Sequence, residues 1–396
     1  MRKDRGHFYR PELVQKFADD ITGQNPFSDS SNGLFLSGPR RTGKTSFLRN
    51  ELMPALSNYG YLVLYCDMMN EPGYDAFNAF KVAVSRTADA IGLSGLIGAG
   101  GMGFNEIKVP SVGTIDPKLI AAIDFRTVET ALSDLRRKVS KDIVLVIDEA
   151  QLAMTHHNGN AFMAGLKSAR DQMRSDGQQH LLLIMTGSDR DKLMRLVTSK
   201  NAAFYGSQVQ EFPLLDERYI DFVCKLAEDF TKVQMLDRNK MARAFELFEH
   251  EPQTFKSALS TILSKRALGS ETVVRIETQM VDMAIAQRLA LIERFQNTVK
   301  ALPPLQQAIV TLVAEKGENF EPYTQVSLDY YTRATGEVVT PSRVQKALDK
   351  LRADDSAILW KSHQGQYALQ EGAMARWMRE GRPDEISRSG RLSKRT

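Results

Sequence analysis

The sequence predicts an α/β protein with a doubly wound parallel sheet, followed by a helical domain and then a small helix-and-hairpin module. Three observations predict it. Short apolar runs recur through the first half, most of them continuous rather than alternating, as strands buried on both faces require. Helical patterns separate these runs, the arrangement of a sheet with parallel crossovers. Past residue 213 the strand-like runs stop and amphipathic periodicity takes over, until Pro303-Pro304 opens a different rhythm. At ~150 residues per domain, 396 residues suit two or three domains.

The strand-like runs are 34–37, 61–66, 143–147, 181–186 and 209–212, and the helical patterns between them are 44–52, 74–91, 125–139 and 159–174. Amphipathic helices follow over 216–230, 238–249, 254–266 and 278–299. After the prolines come helices at 305–316 and 326–335, and a third from Pro341. Two strand-like runs, 358–361 and 366–369, flank Ser362-His363-Gln364-Gly365, a turn-forming set suited to a hairpin. The expected domains are 1–213, 214–300 and 301–378, with a basic tail at 379–396 too poor in apolar residues to hold a fold.

Composition narrows the function. The net charge of +4 is too small a bias to imply nucleic-acid binding by the whole molecule, so any basic function must be a local patch. Cys66 and Cys224 lie far apart in a strand-like and a helical run, which supports neither a disulfide framework nor a cysteine metal site. No run approaches the ~20 apolar residues of a membrane span. The expectation is a soluble, cytoplasmic protein with no membrane partner.

The strongest motif is Gly38-Pro39-Arg40-Arg41-Thr42-Gly43-Lys44-Thr45, a complete G-x-x-x-x-G-K-[ST] between a strand and a helix, with Ser46 next in line. Its glycines let the backbone curl so that N–H groups point at phosphate, and the following helix adds its positive N-terminal end. Lys44 is placed for the β- and γ-phosphates and the Thr45 hydroxyl for Mg²⁺. The second motif ends the run 143–147 with Asp148-Glu149-Ala150-Gln151, two carboxylates at the strand edge where ligands bind in such sheets. Asp148 is positioned for Mg²⁺ and Glu149 to polarise an attacking water. A third strand ends in Thr186-Gly187-Ser188-Asp189-Arg190, where Thr186 or Ser188 can lie between the acids and the phosphate loop and hold the lytic water.

With these residues the chain resembles the archaeal-type ATPases, a branch of the STAND/AAA+-related P-loop NTPases. Phe8-Tyr9-Arg10-Pro11-Glu12-Leu13 is similar to the family's opening motif, and Gly38 to Thr45, Asp148 to Gln151, Gly187-Ser188 and Ala203-Phe204-Tyr205-Gly206 resemble its later landmarks in order. The resemblance covers about residues 7 to 300, and a C-terminal winged helix also fits the family. It implies an AAA+-like P-loop NTPase domain with a helical lid, an adenine pocket contacted by Tyr9 and Arg10, and Pro252 of the lid packed over the nucleotide. Two landmarks depart. Ser207 stands where the family often has arginine, and His250 replaces the glycine of its Gly-x-Pro. The basic residue near the γ-phosphate then falls to Arg190 or Arg195, or is missing, and the implied turnover is slow.

Other patterns are weaker. Gly98-Ala99-Gly100-Gly101-Met102-Gly103 matches G-x-G-x-x-G, but no strand precedes it, so a loop is expected. His156-His157 lacks a third ligand and reads as a solvated pair. In the C-terminal module, Thr340 suits an N-cap and Pro341 the first helical position, and Val344, Ala347, Leu348 and Leu351 mark a buried face. Arg343, Lys346 and Lys350 line the opposite face, with Lys361 and His363 on the hairpin. A winged helix offers such a surface to duplex DNA, and a solvated face of a protein-binding winged helix looks the same. The sequence therefore predicts an ATP-binding, Mg²⁺-dependent ATPase whose nucleotide state controls DNA binding or assembly. The alternative is a STAND-type switch or scaffold with slow hydrolysis and a protein partner or homo-oligomer in place of DNA.

Overall fold

The computed structural model describes residues 6–69, 75–93, 127–155, 158–175, 177–198, 202–231, 235–267, 275–353, 357–361 and 366–379. The glycine-rich loop at 98–103, His156-His157, His363 with its turn, and the tail from residue 380 lie outside them. The chain divides into two compact units, 1–232 and 233–396.

The first unit is built on a five-stranded sheet. Its strands are β1 (Leu34–Ser37), β2 (Leu62–Asp67), β3 (Ile143–Asp148), β4 (Leu181–Gly187) and β5 (Val209–Glu211), in the order β2-β3-β4-β1-β5 and all parallel. The three central strands are buried at every residue. Edge strand β2 alternates buried and half-buried positions, and β5 is buried nowhere. The continuous apolar runs thus mark the centre of the sheet, where both faces are covered.

Register decides the chemistry. Ser37 pairs with Gly187, and Asp67 with Asp148, so the carboxyl ends of the strands share one edge. Because β4 lies between β1 and β3, its end separates the phosphate loop from the acidic pair. The helix after β1 runs from Lys44 to Asn58, with a wider π-helical turn over Leu48–Leu52. Phe47 and Leu48 join Phe17, Leu34, Val144, Ile184 and Phe212 in the core beneath the sheet. A two-residue hairpin, Arg174–Ser175 with Gln178–Gln179, ends the helix expected to reach residue 174. Helix Glu217–Thr231, expected in the helical domain, belongs to this first unit.

The second unit contains helices Arg238–Leu247, Pro252–Ala267 and Ile276–Lys300. Pro304–Lys316, Gln325–Thr335 and Pro341–Leu351 follow, then antiparallel strands β6 (Leu359–Lys361) and β7 (Tyr367–Leu369), and last helix Gly372–Arg379. Three helices and a hairpin in this order have the topology of a winged helix. Ile309, Val313, Tyr331, Val344, Leu348, Leu359 and Leu369 form its core. Phe295, from the long helix before the double proline, is part of the same core, and Arg294 pairs with Glu371 at 2.6 Å. The break expected at residue 300 is therefore a break in rhythm, not in packing. The Thr340 hydroxyl accepts from the Arg343 N–H at 3.5 Å as the N-cap, with Pro341 in the first turn.

Leu145 sits at the middle of β3 with no exposed surface. Leu145→Ala removes packing from the face of the sheet opposite Val144 and Val146 and is expected to cost about 2–5 kcal/mol, read as a lower denaturant midpoint for the first unit.

Candidate nucleotide site

Residues 38–45 curl at the end of β1. Arg41 and Gly43 adopt the left-handed region, at φ 62° and 92°. The Gly43 conformation requires no side chain, and at Gly38 a Cβ would come within 3.3 Å of Phe212 Cβ. The Thr42 hydroxyl donates to the Pro39 carbonyl at 2.8 Å and braces the curl. Lys44 is 5% exposed, and its ammonium donates to the carbonyls of Gly38 and, at 2.7 Å, Pro39. Burial pushes the Lys44 pKa down, while the charges of Glu149 and Asp148 oppose that shift. Arg40 and Ser46 are exposed.

Asp148, 3% exposed, is where the elements meet. Its Oδ2 accepts from the Thr45 hydroxyl at 2.7 Å and the Tyr65 hydroxyl at 2.8 Å, and its Oδ1 accepts from the Thr186 hydroxyl. Sequence reasoning missed Tyr65. Its signal was an amphipathic residue two positions before the end of the strand that pairs with β3. Burial, then the charge of Asp148, holds the Tyr65 phenol far above its ordinary range, so it remains a donor. Asp67, paired with Asp148 in register, is raised chiefly by burial. The Thr45 and Asp148 oxygens are hard donors of the kind Mg²⁺ takes.

The two candidates on β4 separate in space. Thr186 is wholly buried beneath Asp148, whereas the Ser188 hydroxyl donates to Glu149 at 2.7 Å. Of the basic candidates, Arg190 is exposed and pairs with Glu211 at 3.1 Å, while Arg195 is 1% exposed. Lys192, which the sequence did not single out, is also buried. Its pKa is lowered first by burial, with Asp189, Arg40, Arg195 and Glu149 all within electrostatic reach.

The opening segment is fastened to the helix of the phosphate loop. Glu51, in the π-helical turn, accepts from the Arg10 backbone N–H at 2.6 Å and meets the His7 ring at 3.1 Å. The Arg10 guanidinium lies 3.8 Å from Glu51, over the rings of Phe47 at 4.7 Å and Phe212 at 5.0 Å. Tyr9 is more than half exposed and stands edge-on to His7.

Pro252 lies in the second unit, at the start of helix Pro252–Ala267. His250, two residues earlier, has φ 56°, the left-handed conformation that a glycine takes freely. The backbone geometry of a glycine is thus kept although the residue is not. On the C-terminal module, Lys346 and Lys350 are exposed, and Lys361 lies 5.2 Å over the Tyr367 ring. Arg343 is tied to Glu337 and the Val338 carbonyl, each at 3.0 Å.

A family model described as an ATPase domain predominantly from Archaea matches residues 28–230. No curated protein matches the chain. Among solved structures, the Aeropyrum pernix ORC2 protein with ADPNP and ADP is 15% identical over 99% of this chain and 98% of its own, with a TM-score of 0.47. The Aeropyrum pernix ORC1 protein in complex with DNA is 15% identical over 97% and 95%, at 0.41. A Thermotoga maritima RuvB mutant is 13% identical over 94% and 96%, at 0.35.

Glu51→Ala would leave the Arg10 charge buried without its carboxylate, at an expected cost of about 3 kcal/mol. Glu51→Gln keeps an acceptor for the Arg10 N–H and should lose less. Denaturant melts of both variants check the order.

Proposed function

The chain belongs to the family of ATPase domains predominantly from Archaea and is an ATP hydrolase, and we propose that its turnover depends on Mg²⁺ and that its nucleotide state controls duplex-DNA binding by the winged helix. The observation that carries the Mg²⁺ reading is the convergence of Thr45, Tyr65 and Thr186 on Asp148. One carboxylate there ties the phosphate loop to the two strands flanking β3. The backbone N–H groups of Arg40 to Ser46 would hold the phosphates, with Lys44 leaving its loop carbonyls for the β- and γ-oxygens. Thr45 and Asp148 would hold the metal. Bound there, Mg²⁺ would neutralise the charge that grows on the phosphate oxygens. Glu149 orients and polarises the water, and Arg10 and Tyr9 contribute to the base pocket.

Lys44→Ala is expected to abolish nucleotide binding, measured with a fluorescent ATP analogue. Glu149→Gln should keep ATP but lower turnover about 100-fold or more, because only the proton acceptor is removed. Equal ATPase rates in Glu149→Gln and wild type would sink the assignment of the base.

The DNA reading rests on Lys346 and Lys350, exposed on one face of the third helix of the module, and Lys361 on the wing. Arg343 contributes less, since Glu337 already partners it. With a net charge of +4, binding depends on this patch and is salt-sensitive. A protein partner is the second reading, favoured by Val326 and Val338, which are 73% and 77% exposed on the same module. In low salt, Lys346→Glu with Lys350→Glu should weaken duplex binding about tenfold or more and leave ATP affinity unchanged. A gel-shift titration in which wild type and double mutant bind equally, or neither binds with or without ATP, moves the reading to a protein.

A further inference from the structure

Glu149 is the first residue past β3, and its backbone takes the left-handed region at φ 55°, which residues with a side chain seldom adopt. One carboxylate oxygen, Oε2, collects three donors: the Ser188 hydroxyl at 2.7 Å, the Ser188 N–H at 3.3 Å and the side-chain amide of Gln151. The amide nitrogen also lies 3.4 Å from the Ser188 hydroxyl, so the three side chains close a ring. An ionised carboxylate only accepts, which fixes the amide orientation with nitrogen toward Glu149. Gln151 is 1% exposed, and its Oε1 is buried without a hydrogen-bond partner among the described residues. That oxygen faces Gly187, where a Cβ would come within 2.7 Å of it. A buried acceptor left unmet is costly, and here it accompanies an amide whose donor side is spent on Glu149. Among the described residues no hydrogen-bond donor reaches the other oxygen of Glu149, Oε1.

We propose that Gln151 is a positioning residue for hydrolysis: with Ser188 it anchors Oε2 of Glu149, so that Oε1 is the oxygen that meets the attacking water. The inference rests on Glu149 being the proton acceptor. An oxygen holding three donors has its lone pairs engaged, while Oε1 keeps them for the proton. The water proton passes to Oε1 as the water oxygen bonds to the γ-phosphorus. The bond from that phosphorus to the β,γ-bridging oxygen breaks, and its electron pair leaves with ADP. Arg40 donates to the Ser188 hydroxyl at 3.3 Å, so the anchor is joined to the phosphate loop through one further bond.

Gln151→Met keeps the length of the side chain and removes the amide. Its kcat, and its affinity for Mg²⁺, ADP and aluminium fluoride as a transition-state mimic, should each fall about tenfold or more, with KM and ATP affinity within about twofold of wild type. In a Glu149→Gln background the same substitution should change the affinity for the mimic by less than about twofold, because the group it acts through is gone. Wild-type kcat in Gln151→Met, an equal loss of mimic affinity in both backgrounds, or a parallel loss of ATP affinity each overturns the proposal. Should Gln151→Met fail to fold, Ser188→Ala removes another donor to the same oxygen and carries the same comparison. Wild-type turnover by Glu149→Gln would instead overturn the reading of Glu149. An inactive Glu149→Gln beside a fully active Gln151→Met overturns only the role of Gln151.

Discussion

The buried carboxylate of Asp148 is the constraint on which the nucleotide site depends. A charge almost out of water must be met by donors, and Asp148 takes them from Thr45 after β1, Tyr65 on β2 and Thr186 on β4. Those donors can converge only because β4 is inserted between β1 and β3 while β2 flanks β3 on the other side. Shifting β4 by one residue would turn Thr186 to the other face of the sheet. Strand order and site chemistry are therefore one requirement expressed twice.

A second fastening holds the opening segment. Arg10 is a buried cation whose pKa is lowered chiefly by desolvation and restored in part by the charge of Glu51. Two aromatic faces, Phe47 and Phe212, complete its surroundings. Phe47 belongs to the helix of the phosphate loop and Phe212 follows β5, so the segment 7–10 is tied to both sides of that loop. The π-helical turn is where Glu51 sits, and wide turns of this kind mark functional positions more often than ordinary helix does.

Sequence made the central strands legible because burial on both faces leaves a continuous apolar run, as in 143–147. The phosphate loop and the acidic pair were legible because their residue types stand next to each other in the chain. Tyr65 and Glu51 were not, since each acts on a residue tens of positions away. The π-helical turn was hidden for a different reason: 44–52 keeps its apolar spacing, and one widened turn barely alters the period. The helix Gly372–Arg379 escaped because it is only eight residues long, although Met374 and Ala375 are buried. The domain break placed at residue 300 followed a proline signal that is real, but Phe295 packs across it.

The left-handed residues show how far substitution can go without loss of geometry. His250 keeps a glycine-like φ of 56° and sets its ring edge-on to Phe245, with centroids 5.0 Å apart. A contact of that kind offsets part of the backbone cost that glycine would avoid. At Glu149 the same conformation has a different return. The three donors on Oε2 hold the turn in place, so the strained backbone and the oriented carboxylate stabilise each other. A motif read by residue type alone would count His250 as a departure and Glu149 as a match. In physical terms both positions meet the same demand, a sharp left-handed turn, and differ only in which side-chain interaction compensates for it.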